Sequence, residues 1–500
     1  MTPDAWSSRD PLARRVAATP ERTAIVDTDD DTTRTYREFD AAVDERAAAL
    51  SSLAGQAPTV ALLLDTRPAF ADIAFATLRL GGTLVPLNTR LTASELDDRV
   101  ARTTPDLLVC GANTETLARE VGDGPVASVD TPETADVHSL DGGDGAAVEP
   151  APVDRETEWL VLFTSGTTGR PKGVRLTVGN LVSSATASAY RLGVTPGDRW
   201  LCCLPMYHMG GFAPVVRSTL YGTTVFLQRS FDAERTADVL ADYGATGVSL
   251  VPTMLRRLLD ADWEPSPTLR FVLLGGAPAT TDLLDRALDQ NVPVHPTYGM
   301  TETASQIATA RPEQVSSREG TIGQPLVNTD VTVVGEDGTP CEVGERGELV
   351  VAGPTVTPGY LDGDVTDAAF GEYGLHTGDA GYRDEDGRVW VLNRLDDRIV
   401  TGGENVDPGE VVGALRDHPG VRDAAVVGLT DPEWGERVAA LVVPDPQDVP
   451  TADDIEAHCR TRLAGFKRPR TVAFADALPR TASGTVDREA VRDRLREDRP

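Results

Sequence analysis

Residues 164–173 read Thr164-Ser165-Gly166-Thr167-Thr168-Gly169-Arg170-Pro171-Lys172-Gly173. Glycines let backbone N–H groups turn toward a guest, and short hydroxyls add rotatable donors. A loop of that make-up, ended by one cation, suits a polyphosphate. It is not the phosphate loop in which Gly-Lys-Ser/Thr opens a helix, because Pro171 precedes the lysine and Gly173 follows it. Lysine usage singles out the same place. Of 47 lysines and arginines only two are lysine, Lys172 and Lys467. A compact ammonium on a flexible stem does what a planar guanidinium cannot. A chain that otherwise uses arginine therefore keeps its lysine at the end of this loop for a chemical reason.

Further groups able to do chemistry follow in order: Pro205-Met-Tyr-His208, Tyr298-Gly-Met-Thr-Glu302, His376-Thr-Gly-Asp379, Arg394-Leu-Asp396-Asp397 and Gly402-Gly-Glu-Asn405. Together with the loop at 164–172, they resemble in order and spacing the adenylate-forming (AMP-forming) acyl-CoA synthetases, over almost the whole chain. The resemblance implies an acid–thiol ligase that uses ATP, Mg²⁺ and coenzyme A. A carboxylate attacks the α-phosphate to give acyl-AMP and pyrophosphate, and the CoA thiol then displaces AMP. The barrier in such a transfer is charge crowding, so the site must neutralise phosphate oxygens and hold the attack in line.

Carried over residue by residue, the resemblance implies that Thr164, Ser165, Gly166, Thr167, Thr168 and Gly169 cradle the β- and γ-phosphates together with Lys172. Glu302 holds Mg²⁺ with Thr167 nearby; a hard carboxylate oxygen suits that ion. Tyr298, Gly299, Met300 and Thr301 flank the adenine, with Gly276, Ala277 and Pro278 on its other side. Asp379 accepts both ribose hydroxyls, a task for the two oxygens of a carboxylate, and Arg394 also touches the ribose. His208 gates the acid pocket beside Gly210 and Gly275. Asp396 matches the hinge about which a small domain rotates between the half-reactions. Gly402, Gly403, Trp434, Phe466, Lys467 and Arg468 match the region that meets the CoA nucleotide, where stacking and phosphate pairing are needed.

The chain departs from the family at one place. The family's late Gly-Lys supplies a lysine that bridges the substrate carboxylate and the α-phosphate, whereas here Pro479-Arg-Thr-Ala-Ser-Gly484-Thr485 ends in an uncharged residue. Three outcomes stay open: slower adenylation, another cation in that role (Arg480 or Arg488), or survival of the thioester half-reaction alone; an adenylate-binding protein with impaired adenylation is the rival from a different class. The activated acid is narrowed by composition. Between Asp198 and Asp232 there is no Asp or Glu to meet an ammonium, which favours an acyl or aryl acid over an amino acid. Segments 174–180, 273–279 and 297–306 resemble most the branch that activates 2-succinylbenzoate for menaquinone biosynthesis. That diacid needs a polar anchor at the inner end of its pocket. Thr303, Ser305 and Gln306 are able to supply one directly or through water, and are equally suited to a helix face. A ligase for another aryl or medium-chain acid is the alternative.

The elements that must position these groups alternate. Trp159 to Phe163 and Thr59–Leu64 read as strands, as do Arg199–Leu204, Thr223–Leu227, Gly247–Val251 and Arg270–Leu274. Helices are expected near 234–242, 253–260 and 281–289. Thr35-Tyr-Arg-Glu38 and Thr92-Ala-Ser-Glu95 read as capping boxes that open helices. The pattern predicts an α/β fold with parallel-rich sheets and crossover helices. Residues 112–158 are acidic and weakly patterned, and read mostly as surface loop. Glycine-punctuated short strands predict a β-rich subdomain at about 320–393. A smaller mobile α+β domain follows, so the boundaries are 1–395 and 396–500. Five hundred residues exceed one core. The formal charge of −31 argues against nucleic acid and anionic membranes. With so few lysines it resembles a salt-loving protein's surface. No signal peptide or membrane span is expected, and the five cysteines show no metal or disulfide spacing. The reading is a cytoplasmic enzyme, with a homodimer possible.

Overall fold

Two eight-stranded sheets account for most of the alternation. The computed structural model describes residues 9–141, 148–164, 171–395, 399–401, 404–406, 408–431, 434–463, 465–481 and 485–497. The chain packs into two units. The first comprises Met1–Gly275, Ala279–Asp330 and Val351–Leu375; the second comprises Gly276–Pro278, Val331–Val350 and His376–Pro500.

In the first unit, one sheet runs in the order Ala308–Thr309, Val294–Tyr298, Phe271–Leu274, Gly247–Leu250, Arg199–Cys202, Thr224–Leu227, Thr23–Asp27 and Thr32–Thr35. Its pairings are parallel except at the two edges. The other runs Gly359–Tyr360, Lys172–Thr177, Glu158–Thr164, Thr83–Pro86, Thr59–Leu63, Leu107–Cys110, Val126–Ser128 and His138–Ser139. Here the first two pairings are antiparallel and the rest parallel. Central strands are continuous apolar runs because both faces are covered. The core is tied by aromatics. Trp159 is fully buried, meets Phe75 and Phe212 edge-on, and donates from Nε1 to the Ala74 carbonyl at 3.0 Å.

Both capping boxes form. The backbone N–H groups of Thr35 and Thr92 donate to Glu38 and Glu95 at 2.7 and 2.8 Å, opening the helices Tyr36–Ala54 and Ala93–Thr103. The reading of 112–158 as mostly loop holds, but the stretch is less superficial and more ordered than expected. It holds a helix, Glu115–Glu120, and the strands Val126–Ser128 and His138–Ser139, with Val126, Ala127, Val129, Val137 and Leu140 buried. Neighbouring strands override the weak local pattern.

The second unit carries most of a sheet built from Asp330–Val334, Gly347–Ala352, Gly374–Arg383 and Val389–Arg394. A further sheet follows in the order Glu404–Val406, Ile399–Thr401, Gly435–Pro444 and Val421–Asp431, with Thr471–Phe474 alongside Gly435–Pro444. The helices Pro408–Arg416, Ala452–Arg460 and Arg488–Glu497 contribute buried apolar residues to its cores. Among the described residues, no helix is long and apolar enough to cross a membrane.

Candidate active site

Lys172 opens the strand Lys172–Thr177, which runs back antiparallel along Glu158–Thr164 with Thr164 opposite Lys172. The two described residues that flank the glycine and hydroxyl run, Thr164 and Lys172, are thus cross-strand partners. Ser165, Gly166, Thr167, Thr168 and Gly169 themselves lie outside the described residues. Arg102 anchors one end by donating to the Pro171 carbonyl, and its guanidinium lies 5.3 Å from the centre of the Phe163 ring. The Lys172 ammonium stands 5.5 Å over the ring of Tyr360.

Glu302 sits in a single 3-10 turn, Thr301–Thr303, and is only 5% exposed. Tyr360 donates from its hydroxyl to Glu302 Oε1 at 3.0 Å. No cluster of three or more His, Cys, Asp or Glu able to hold a metal occurs among the described residues. A lone hard carboxylate of this kind fits magnesium, which keeps waters and phosphate oxygens as its other ligands and seldom uses an all-protein cage. Glu302 is the described residue that would hold it, and the ion would supply charge neutralisation at the phosphates.

Tyr298 ends the strand Val294–Tyr298, and the chain then doubles back on itself. A Cβ at Gly299 would fall 1.6 Å from the Ser305 carbonyl oxygen, so only glycine fits. Ala304 and Ser305 take φ of +51° and +115°. Such backbone costs about 1–3 kcal/mol per residue and persists where the surroundings over-determine it. Here Ser184 donates from Oγ to the Ala304 carbonyl at 2.7 Å, and the Ser305 N–H donates to Met300 at 3.2 Å. Of the three polar anchors expected from sequence, two have framework partners. Thr303 exchanges hydrogen bonds with the Met300 backbone, and Gln306 donates from Nε2 to Thr309 Oγ1 at 2.8 Å. The Gln306 Oε1 is buried without a partner.

His208 is the N-cap of the helix Met209–Tyr221. Thr66 fixes the segment before it, donating to the Leu204 carbonyl and accepting from the Met206 N–H at 3.0 Å. A Cβ at Gly211 would lie 2.2 Å from the Pro205 carbonyl oxygen, which lets the helix start tightly against this segment. The imidazole is solvent-exposed but recessed, edge-on to Tyr207 at 4.9 Å. Crowding by protein and the nearby Arg90 guanidinium both lower its pKa, which favours the neutral imidazole.

Sequence reading did not single out Arg217, two turns along the same helix. It is 2% exposed, and its Nε and Nη2 have no hydrogen-bond partner. Its guanidinium lies 5.4 Å from the centre of the Trp200 ring, and burial lowers its pKa. It borders a narrow gap whose walls include Met209, Ser184 and Ala304. The signal was an arginine inside Phe212-Ala-Pro-Val-Val-Arg217, an otherwise apolar stretch. A wider depression of about 470 Å³, lined by Asp97, Val100, Thr104 and Gly122, holds none of the expected site residues.

In the second unit, Asp379 is buried in the strand Gly374–Arg383 and lies opposite Arg394 in the register. Arg394 Nε approaches Asp379 Oδ1 at 3.4 Å, so the two expected ribose groups meet each other. The preceding turn is clamped by Glu348, which accepts from the Gly378 N–H at 2.9 Å and sits 2.7 Å from His376 Nδ1. Asp396, Gly402 and Gly403 lie outside the described residues. Lys467 donates to both carboxylate oxygens of Glu410 at 2.7 Å, and its ammonium lies 5.8 Å from the Phe466 ring centre. Arg468 donates to the Leu463 carbonyl, while Trp434 carries the Arg470 guanidinium at 4.5 Å. Thr485 shares a 2.7 Å hydroxyl contact with Thr481, and Arg480 is engaged with Asp423 at 3.0 Å.

Comparison with known proteins agrees over nearly the full chain. The AMP-binding enzyme family matches residues 12–361, and its C-terminal domain matches 410–485. A 2-succinylbenzoate–CoA ligase from Bacillus velezensis is 38% identical over 491 residues, covering 97% of each chain. The solved o-succinylbenzoate CoA synthetase of Bacillus subtilis, in complex with its acyl-adenylate intermediate, superposes with a TM-score of 0.87 at 34% identity and 98% coverage of both chains. The same enzyme in complex with ATP and magnesium gives 0.84 at 34% identity, covering 97% of this chain and 99% of that one.

Proposed function

This chain belongs to the AMP-binding enzyme family, and we propose that within it the protein is an ATP-dependent acid–thiol ligase that converts 2-succinylbenzoate to 2-succinylbenzoyl-CoA, AMP and pyrophosphate. Lys172 and the hydroxyl turn before it would receive the β- and γ-phosphates, and Glu302 the magnesium that accompanies them. Tyr298, Gly299, Met300 and Thr301 would border the adenine, as would Gly276, Ala277 and Pro278. Asp379, held by Arg394, would accept the ribose hydroxyls. The neutral His208 would stand at the mouth of the acid pocket. Asp396 remains the hinge in this reading, and Trp434, Phe466, Lys467 and Arg468 the CoA contacts. The acidic, lysine-poor composition supports a cytoplasmic setting rich in salt.

The single observation that carries the choice of acid is Arg217. A guanidinium buried without an anion is costly, and breaking such a site's pairing is worth several kcal/mol. A diacid resolves the cost: one carboxylate is activated and the other, at the far end of the ring, meets the guanidinium. The gap at Arg217 is walled by Met209 and Ala304, the chain neighbours of His208 and Ser305.

The test is AMP release across a panel of acids with the wild type and Arg217→Leu. The wild type is expected to prefer 2-succinylbenzoate over benzoate and hexanoate in kcat/KM. The variant is expected to lose about 100-fold on the diacid, a charge-pair-sized effect, with little change on benzoate. A wild type that favours benzoate or hexanoate would falsify the substrate assignment. The second reading, weakened adenylation, rests on the uncharged Thr485 and on Arg480 being engaged with Asp423.

A further inference from the structure

We infer that Tyr360 is a positioning residue that ties the metal-binding carboxylate to the lysine of the phosphate turn. This rests on the reading of Lys172 and Glu302 given above. Tyr360 is buried, with 6% exposure, and has two different neighbours at its two ends. Its hydroxyl donates to Glu302 Oε1 at 3.0 Å. Its ring lies 5.5 Å from the Lys172 ammonium. Two groups that the mechanism asks to meet phosphate and metal therefore share one side chain.

The backbone that carries Tyr360 is fixed from several directions. Gly359–Tyr360 pairs antiparallel with Lys172–Thr177, setting Tyr360 opposite Val174. The Tyr360 N–H donates to Thr366 Oγ1 at 2.9 Å. The Thr357 N–H donates to the carbonyl of Glu302 itself at 2.7 Å. Asn180 donates from Nδ2 to the Pro354 and Val356 carbonyls at 3.0 and 2.8 Å. So the phenol cannot drift relative to either partner.

The chemistry follows from the two ends. A phenol that donates to one carboxylate oxygen fixes the carboxylate's rotation, so the group meets an incoming cation in one orientation. The ring face holds an ammonium by its quadrupole, weakly enough that phosphate oxygens outcompete it. Lys172 thus waits above the ring and moves a short way on its flexible stem when a polyphosphate arrives. Phenylalanine would keep the second function and lose the first; leucine would lose both.

The experiment measures ATP binding by calorimetry with and without Mg²⁺, alongside pyrophosphate exchange, for the wild type, Tyr360→Phe and Tyr360→Leu. For Tyr360→Phe, metal-free ATP affinity, the KM for the acid and the unfolding midpoint are expected to stay at wild-type values. The gain in ATP affinity conferred by Mg²⁺ is expected to fall at least fivefold. Tyr360→Leu should lose metal-free ATP affinity as well, by threefold or more. An unchanged magnesium gain in Tyr360→Phe overturns the inference. So does a parallel loss of metal-free affinity, acid KM and unfolding midpoint in that variant, which would make the tyrosine merely structural. If the wild type itself shows no magnesium-dependent ATP binding, the ligase reading fails and takes this inference with it.

Discussion

At the scale of single residues, the sharpest question is what an uncharged Thr485 does where the family resemblance implies a lysine. Its hydroxyl is close to Thr481, and the nearby Arg480 spends a guanidinium nitrogen on Asp423, whose other oxygen takes Arg416 at 2.5 Å. An arginine shared in this way is held by its own carboxylate network. A point charge restored at 485 would act on charge that develops as the carboxylate attacks phosphorus, where one well-placed group is worth about 100-fold or more. Thr485→Lys is therefore expected to raise ATP–pyrophosphate exchange at least tenfold, with the thioester-forming step unchanged. No rise would mean that another cation already fills the role, and the second reading of the function would be dropped. Residue identity also explains what was visible from the start. Lys172 stood out because the chain uses lysine twice, whereas Arg217 hid among many arginines, marked in the sequence only by its apolar neighbours and in the structure by a buried Nε and Nη2 without partners.

At the scale of elements, local chemistry was the legible part. Both capping boxes could be read because each lies within four residues of sequence, and the strand Gly247–Leu250 and the helix Thr281–Asp289 fall where the alternation puts them. What was missed is what only tertiary contacts decide. The strand after the phosphate turn, Lys172–Thr177, is half-polar and short, and it forms because Glu158–Thr164 and Gly359–Tyr360 lie on either side. The same holds for Val126–Ser128, three residues long and parallel to Leu107–Cys110. The expected acid-pocket anchors were read by residue type, which cannot tell that Gln306 spends its amide on Thr309. Asn180 shows how elements are joined at the site. It is 7% exposed, accepts from the Thr177 N–H at 2.9 Å at the start of the helix Val178–Leu192, and donates to two carbonyls of the 354–356 segment. Asn180→Ala would leave two carbonyls without their donor and remove a helix-capping contact, at a cost of about 2–4 kcal/mol. The unfolding midpoint should fall by several degrees, and magnesium-dependent ATP binding should weaken because the strap carrying Tyr360 loosens. A midpoint within a degree of wild type would mean that the strap is held without Asn180.

At the scale of the whole molecule, charge dominates. With 78 acidic and 47 basic side chains, the net charge of −31 repels itself in the folded state. The arginines are spent where carboxylates crowd. Arg79, 3% exposed, meets Asp10, Asp40 and Asp44 at 3.2, 2.6 and 2.6 Å. Asp72, nearly fully buried beside Arg34 at 2.9 Å, has a pKa raised by burial to about 6. Because its folded-state pKa lies above the unfolded value, the folded chain binds the extra proton. Its contribution to stability is present in acid and lost as pH rises through about 6. Surface repulsion has the same sign, since carboxylates lose charge toward the pI near 4.5. Salt acts on the repulsion alone: the screening length shrinks from about 10 Å at 0.1 M to about 3 Å at 1 M. The unfolding midpoint at pH 7.5 should therefore rise by about 5 °C between 0.1 and 2 M KCl, an effect of about 5 kcal/mol for a chain of this size. At pH 4.5, near the pI, the same salt step should have a clearly smaller effect, because little net charge remains to be screened. A general salting-out of apolar surface would instead act equally at both pH values. Equal shifts at pH 4.5 and pH 7.5, read by differential scanning calorimetry, would therefore remove screening as the cause and with it the case for adaptation to salt.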